Sequence, residues 1–173
     1  MEFEEVIKKR RSIRSFKGEV KDEDLMHILR LAQYAPSAGN LQAYEFIIVR
    51  DEKTKKELAK AAFGQNFISE GDVVIVSCAN KRRSSLRYGK RGEELYSIQD
   101  ATLATFIILL SAYERGYGTC WVGAFNENKV SKILNLPSYL RPIAIVPIGI
   151  PNESPEMPPR FPLEKIIHFE KFQ

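Results

Sequence analysis

Apolar residues along the chain alternate between helical and strand-like periods. Phe3, Val6 and Ile7 recur at helical spacing over residues 2–10. Asp22, Glu23 and Asp24 open a second helix, with Leu25, Ile28, Leu29, Leu31 and Ala32 as its apolar face. That helix must stop before Pro36, because a residue preceding proline avoids helical geometry. A loop of small and polar residues follows over 36–40. Phe46, Ile47, Ile48 and Val49 predict a buried strand, 53–62 a helix, and 73–78 a central strand apolar on both faces. Residues 81–92, basic and glycine-bearing, read as a loop. Residues 96–115 form a long helix, apolar nearly all round and therefore buried, ended by Gly116 and Gly118. A strand or tight turn over 119–123, a short helix over 129–134 and a strand over 143–150 complete the body. This alternation predicts a layered domain with one central sheet.

Two features fit a lone subunit poorly. The tail from Pro151 carries five of the nine prolines up to Pro162 and ends in a short strand signal, Ile166 to Phe169. It is either disordered or reaches across to another subunit. The 96–115 helix carries Ala101, Ala104, Thr105, Ser111 and Ala112, small enough for close helix–helix contact. Packing within one core and packing against a second chain both account for it.

At 173 residues the chain fits one domain with a real core. Hydrophobic residues are 44% and charged residues 28%, a globular balance. The uncharged run over 101–113 is too short to span a bilayer. Glu2, Glu4 and Glu5 stand where a secretory signal needs cations, so a cytoplasmic location is expected. Cys78 and Cys120 are far apart, in apolar stretches, and read as buried free thiols. His27 and His168 have no partner motif. The net charge of +4 suits anionic small molecules and permits nucleic acid without arguing for it.

The densest candidate chemistry lies in Arg10-Arg11-Ser12-Ile13-Arg14-Ser15-Phe16, three guanidinium groups and two hydroxyls in quick succession. Guanidinium groups bind phosphate through a planar fork of donors. Packed this closely they repel one another unless an anion or carboxylates sit among them. A solvated basic turn is the plain alternative.

Together with Ala35-Pro36-Ser37-Ala38-Gly39-Asn40-Leu41-Gln42, the stretch from Gly116 through Thr119-Cys120-Trp121-Val122-Gly123 to Phe125, then Ile148-Gly149-Ile150-Pro151 and Pro158-Pro159-Arg160-Phe161-Pro162, this segment resembles the FMN-dependent nitroreductase family. No one piece is specific; five in a single order are. The resemblance implies an α+β, three-layer sandwich with a central mixed sheet flanked by helices. It implies one domain over 1–173, a homodimer, and a 151–173 extension that wraps the partner. It implies FMN in the interface and NADPH or NADH as donor. A hydride passes through flavin N5 in a ping-pong sequence to a nitro, quinone or other small electron acceptor, with neither nucleic acid nor membrane as partner.

By the same resemblance Arg10, Ser12 and Arg160 bind the phosphate, and Arg11 adds backbone or surface charge. Arg14 reaches the electron-rich edge of the ring as electrostatic support. Pro36, Ser37, Ala38, Gly39 and Asn40 approach the FMN of the other subunit, although Asn40 equally suits the loop's own conformation. Trp121, Val122 and Gly123 lie along the ring, with an amide near Val122 or Gly123 donating to N5. Gln65 or Asn66 reaches the pyrimidine edge of the ring, although a loop amide that binds no ligand accounts for either equally. No catalytic nucleophile is expected, since the cofactor carries the reaction. Other chemistry of the superfamily (deiodination, flavin destruction, deazaflavin-dependent reduction) and an FMN-binding module without turnover stay open. Larger family members carry a helical insertion near the middle, where this chain has the basic stretch 81–91. That stretch is either a solvated loop or a rim, through Arg82, Arg83 and Arg87, that favours anionic substrates such as NADPH.

Overall fold

Five strands form one sheet in a computed structural model that describes residues 2–172. In chain order the elements are α1 (Phe3–Lys9), β1 (Phe16–Lys17), α2 (Asp22–Ala32), β2 (Tyr44–Val49), α3 (Glu52–Ala61), α4 (Phe67–Glu70) and β3 (Val73–Asn80). Then come α5 (Lys81–Arg91), α6 (Ser97–Glu114), β4 (Gly118–Thr119), α7 (Glu127–Ile133) and β5 (Leu140–Pro151). The sheet runs β1-β5-β3-β2, with β4 also paired to β5.

β3 explains the layering. All eight of its residues are buried, and successive side chains point to opposite faces. Val73, Ile75 and Ala79 join a core with α2 and α6, including Ile28, Ala104 and Ile108. Val74, Val76 and Cys78 join a second core on the other face, with Leu58 of α3, Ile68 of α4 and Val130 of α7. Each isoleucine fully removed from water on these faces contributes roughly 1.5–3 kcal/mol. The outcome is a central sheet with helices on both sides, the expected α+β sandwich. Thr105 of α6 shares a 2.7 Å hydrogen bond with Ser77 of β3, so the helix–sheet seam also satisfies its own buried hydroxyls.

Every ladder in the described residues is antiparallel, so the expectation of a mixed sheet is corrected. The connections explain this. β2 ends at Val49 beside Val74 at the start of β3. β3 ends at Asn80 beside Leu140 at the start of β5, and the Lys81 amide bonds Tyr139 O at 3.0 Å. Each excursion returns to the end of the sheet that it left, as a hairpin does. The single parallel contact is an isolated bridge between Ser12 and Thr119.

Residues 81–92 are corrected from loop to helix. The Asn80 side chain accepts from the Arg83 amide at 2.9 Å and caps α5. A one-turn π-helix, Gly92–Tyr96, then carries the chain straight into α6. Gly89 lies inside α5 at φ 52°, ψ −138°, outside helical geometry, a conformation open chiefly to glycine. The resulting run, Lys81–Glu114, is long and apolar enough to cross a membrane by length and composition, yet half of its apolar window is buried inside the fold. α6 is not buried all round: Leu103 and Phe106 are 41% and 44% exposed on one face.

The strand signal at 166–169 is also corrected. It follows a 3-10 turn, Leu163–Lys165, and pairs with no strand among the described residues. Its prolines hold the tail extended beyond β5, and Phe161, Leu163, Ile166 and Phe169 are exposed.

Candidate functional site

The turn after α1 positions the arginine segment. The Arg10 amide closes the helix on Val6 O at 3.0 Å. Ile13, buried, then fixes the chain against β4 through its amide and Thr119 O at 2.9 Å. This anchoring places Ser12 beside Cys120, with the hydroxyl hydrogen-bonded to the thiol. Arg10 and Arg14 both lie within electrostatic reach of the same sulfur.

Arg10 is half-buried and its guanidinium donates no hydrogen bond among the described residues. Burial, then the charges of Arg11 and Arg160, push its pKa below the ordinary value. Sequence-distant Arg160 therefore lies within electrostatic reach of Arg10. Arg11 is turned back, donating at 2.7 Å to Lys8 O and Arg10 O. It closes the end of α1 rather than offering a fork. The Arg14 amide is held by Glu153, and its guanidinium lies 5.9 Å from the Phe67 ring centroid.

The 121–123 segment continues from Cys120. Val122 is buried, and its amide donates to Ile145 O at 2.9 Å. That amide is committed to the sheet, so only the Gly123 amide is left to face a ligand. Trp121 is half-buried against the core. Gln65 donates at 3.0 Å to Ala62 O and at 3.1 Å to Ala124 O. It thereby ties the end of α3 to this segment, with its carbonyl oxygen free of partners among the described residues. Cys78, pushed up to about 12 by burial, stays a thiol, and Cys120 is raised for the same reason. Neither is an activated nucleophile.

The 36–40 loop sits elsewhere. Gly39, Asn40 and Gln42 adopt left-handed φ values of 57°, 57° and 49°, strained for Gln42. Side-chain bonds hold this shape. Ser37 Oγ accepts from the Gln42 amide at 3.0 Å, and Asn40 Oδ1 accepts from Gln42 Nε2 at 3.3 Å. Asp100, buried in α6, accepts from the Ala38 amide at 3.0 Å and the Ala43 amide at 3.3 Å. Asn40 therefore serves the loop itself. Pro36, Ser37 and Ala38 line an open groove of about 550 Å³ with Tyr96, Ile98 and Leu103.

The structure thus gathers Arg10, Ser12, Arg14, Gln65, Trp121, Gly123 and Arg160 into one region, and Pro36 to Asn40 into another. The loop meets α6 at Asp100, whereas Lys9, with Arg11 and Ile13 of the arginine segment, lines a cleft with Tyr113 and Tyr117 near its other end. At the helical rise per residue, those points are about 20 Å apart along α6. Sequence reasoning missed Asp100 and Glu153. A lone acid within an otherwise apolar helix was the available signal for Asp100; nothing local marked Glu153.

These features define an α+β sandwich protein with a cluster of arginines near one end of a core helix and a strained loop near the other. A model of the nitroreductase family matches residues 7–81 and 64–150, and the chain belongs to that family. It is 34% identical over 172 residues to a protein of Archaeoglobus fulgidus whose name pairs NADH dehydrogenase with NAD(P)H nitroreductase, covering 94% of each chain. It is 32% identical to an NADH dehydrogenase of Thermus thermophilus, covering 92% of this chain and 91% of that one. The crystal structure of a nitroreductase family protein from Clostridium novyi superposes with a TM-score of 0.81 at 36% identity, covering 91% of this chain and 89% of that one.

Proposed function

We propose that this protein is a homodimeric, FMN-dependent NAD(P)H oxidoreductase that reduces small nitro, quinone or related acceptors. The observation that carries the reading is Arg10: a half-buried guanidinium with no acceptor among the described residues, kept within reach of the repelling charges of Arg11 and Arg160. A dianionic phosphate removes that repulsion and satisfies the donors. The residues present therefore fit FMN, which supplies the hydride-accepting centre when bound.

Arg10 and Arg160 grip the phosphate and Ser12 donates its hydroxyl. Arg14, fixed by Glu153 and Phe67, holds positive charge where reduction adds negative charge, favouring the reduced state. The Gly123 amide and the Gln65 carboxamide orient the ring. The 36–40 loop is about 20 Å away along α6 within one chain. A two-fold copy brings the partner's equivalent loop to this site. The exposed Leu103 and Phe106 of α6, and the apolar tail, supply surface for that contact.

An absorbance scan of the protein saturated with FMN, followed by anaerobic NADPH and then NADH, tests the reading. Flavin bands that bleach, on a particle of twice the 19.8 kDa chain mass by light scattering, are the expected result. Bound flavin that neither donor bleaches would leave a binding module, and no flavin binding would overturn the assignment of Arg10, Ser12 and Arg160.

A further inference from the structure

α5 carries six cations and no acid: Lys81, Arg82, Arg83, Arg87, Lys90 and Arg91. Three of them have carboxylate partners. Lys81 faces Glu93 at 3.8 Å, Lys90 faces Glu94 at 3.7 Å, and Arg83 pairs with Glu45 at 2.5 Å while donating to Gln42 O at 2.6 Å. The other three are held by aromatic rings. Arg82 lies 3.8 Å from the Tyr139 centroid, Arg87 5.4 Å from Tyr88 and Arg91 5.3 Å from Tyr96. A ring fixes a guanidinium in place without neutralising it. These three charges therefore remain available to an anion.

Arg91 is committed further, its Nε donating to Tyr96 Oη at 2.9 Å, whereas Arg87 lies against the 36–40 loop. Gly39 lies so close to α5 that an added Cβ would stand 2.9 Å from Arg87 Nη1 and 2.5 Å from Tyr88 Oη. Glycine here lets the guanidinium lie on the loop. Arg87 is exposed and makes no hydrogen bond or ion pair among the described residues. Beside it, Tyr88 packs edge-on against Tyr96 at 5.1 Å, and Tyr96 lines the groove with Ser37, Ala38 and Leu103. The groove is lined mainly by apolar side chains, and the uncommitted guanidinium of Arg87 lies beside its loop at Gly39.

Resting on the oxidoreductase reading, we propose that Arg87 is the specificity residue for the donor, binding the 2′-phosphate of NADPH while the groove receives the flat rings. Arginine suits that task because its fork bonds two phosphate oxygens at once. Arg82 serves as the control: the same helix and charge, but stacked on Tyr139 instead of Gly39.

The test measures calorimetric binding of 2′,5′-ADP and 5′-AMP to the FMN-saturated protein, alongside NADPH and NADH turnover. Tighter binding of 2′,5′-ADP than of 5′-AMP is expected in the wild type. Arg87→Gln is expected to shrink that preference, and the NADPH/NADH ratio of kcat/KM, about tenfold, the scale of one charge-assisted bond. Arg82→Gln is expected to change both less than about twofold, in line with a screened surface charge. Equal binding of the two nucleotides by the wild type, or equal shifts in both variants, overturns the proposal. Because nucleotide binding needs no turnover, it decides the role of Arg87 even if the donors fail to bleach the flavin, which counts against the oxidoreductase reading alone.

Discussion

Arg10→Ala is expected to weaken FMN binding about 10- to 100-fold, the loss of one charge-assisted hydrogen bond of roughly 1.5–3 kcal/mol. It is also expected to leave the FMN-free protein as stable as before, or slightly more so. The second expectation separates a ligand contact from a structural one. Arg10 donates to no protein acceptor, while burial and the charges of Arg11 and Arg160 all disfavour its charged form. Removing it relieves that repulsion and orphans nothing. Arg10→Lys keeps the charge without the planar fork, so its affinity falls between the two. Fluorescence titration of FMN gives the affinities, and thermal unfolding of the FMN-free variants gives the stabilities. A large fall in the melting temperature of FMN-free Arg10→Ala would show that the guanidinium holds the fold.

Asp100→Ala is expected to produce the largest loss of stability of any single substitution near the site. The carboxylate is the acceptor for the Ala38 and Ala43 amides. Stranding two such donors costs about 2–5 kcal/mol, taking roughly 1–3 kcal/mol for each. For a chain of this length that corresponds to a melting temperature lower by about 5–15 °C. The damage has a local address: the loop's left-handed residues, Gly39, Asn40 and Gln42, lose the anchor that holds them strained. Asp100→Asn retains one acceptor oxygen and falls midway. Thermal and urea unfolding check the ranking. Equal stability of the alanine and asparagine variants would mean that water replaces the carboxylate.

Much of the body was legible in the apolar pattern. β3 announced itself because a strand buried on both faces has no polar positions to hide its period. α2 was legible from its acidic start, its spaced apolar face and Pro36. Residues 81–92 were misread because their charges and glycines resemble a loop, whereas the helix is fixed by Asn80 as its cap and by partners distant in sequence, Glu45 on Arg83 and Tyr139 under Arg82. The arginine cluster proposed to hold a phosphate was legible as residue types, but not its division of labour. Arg11 folds back onto carbonyls of its own helix end, and the use of the Val122 amide by Ile145 follows from tertiary geometry alone. The antiparallel sheet was equally hidden, since the direction of a strand depends on where a long helical excursion lets the chain return.

The separation of the two regions along α6 has a genetic consequence. In the proposed dimer each flavin is gripped by the arginines of one chain and the loop of the other. A chain carrying Arg10→Ala and a chain carrying Asp100→Ala would each make a homodimer with two impaired centres. Mixed, they form heterodimers in which one pocket inherits both lesions and the other inherits neither. Two defective alleles would then complement, with mixed dimers retaining one working centre in two.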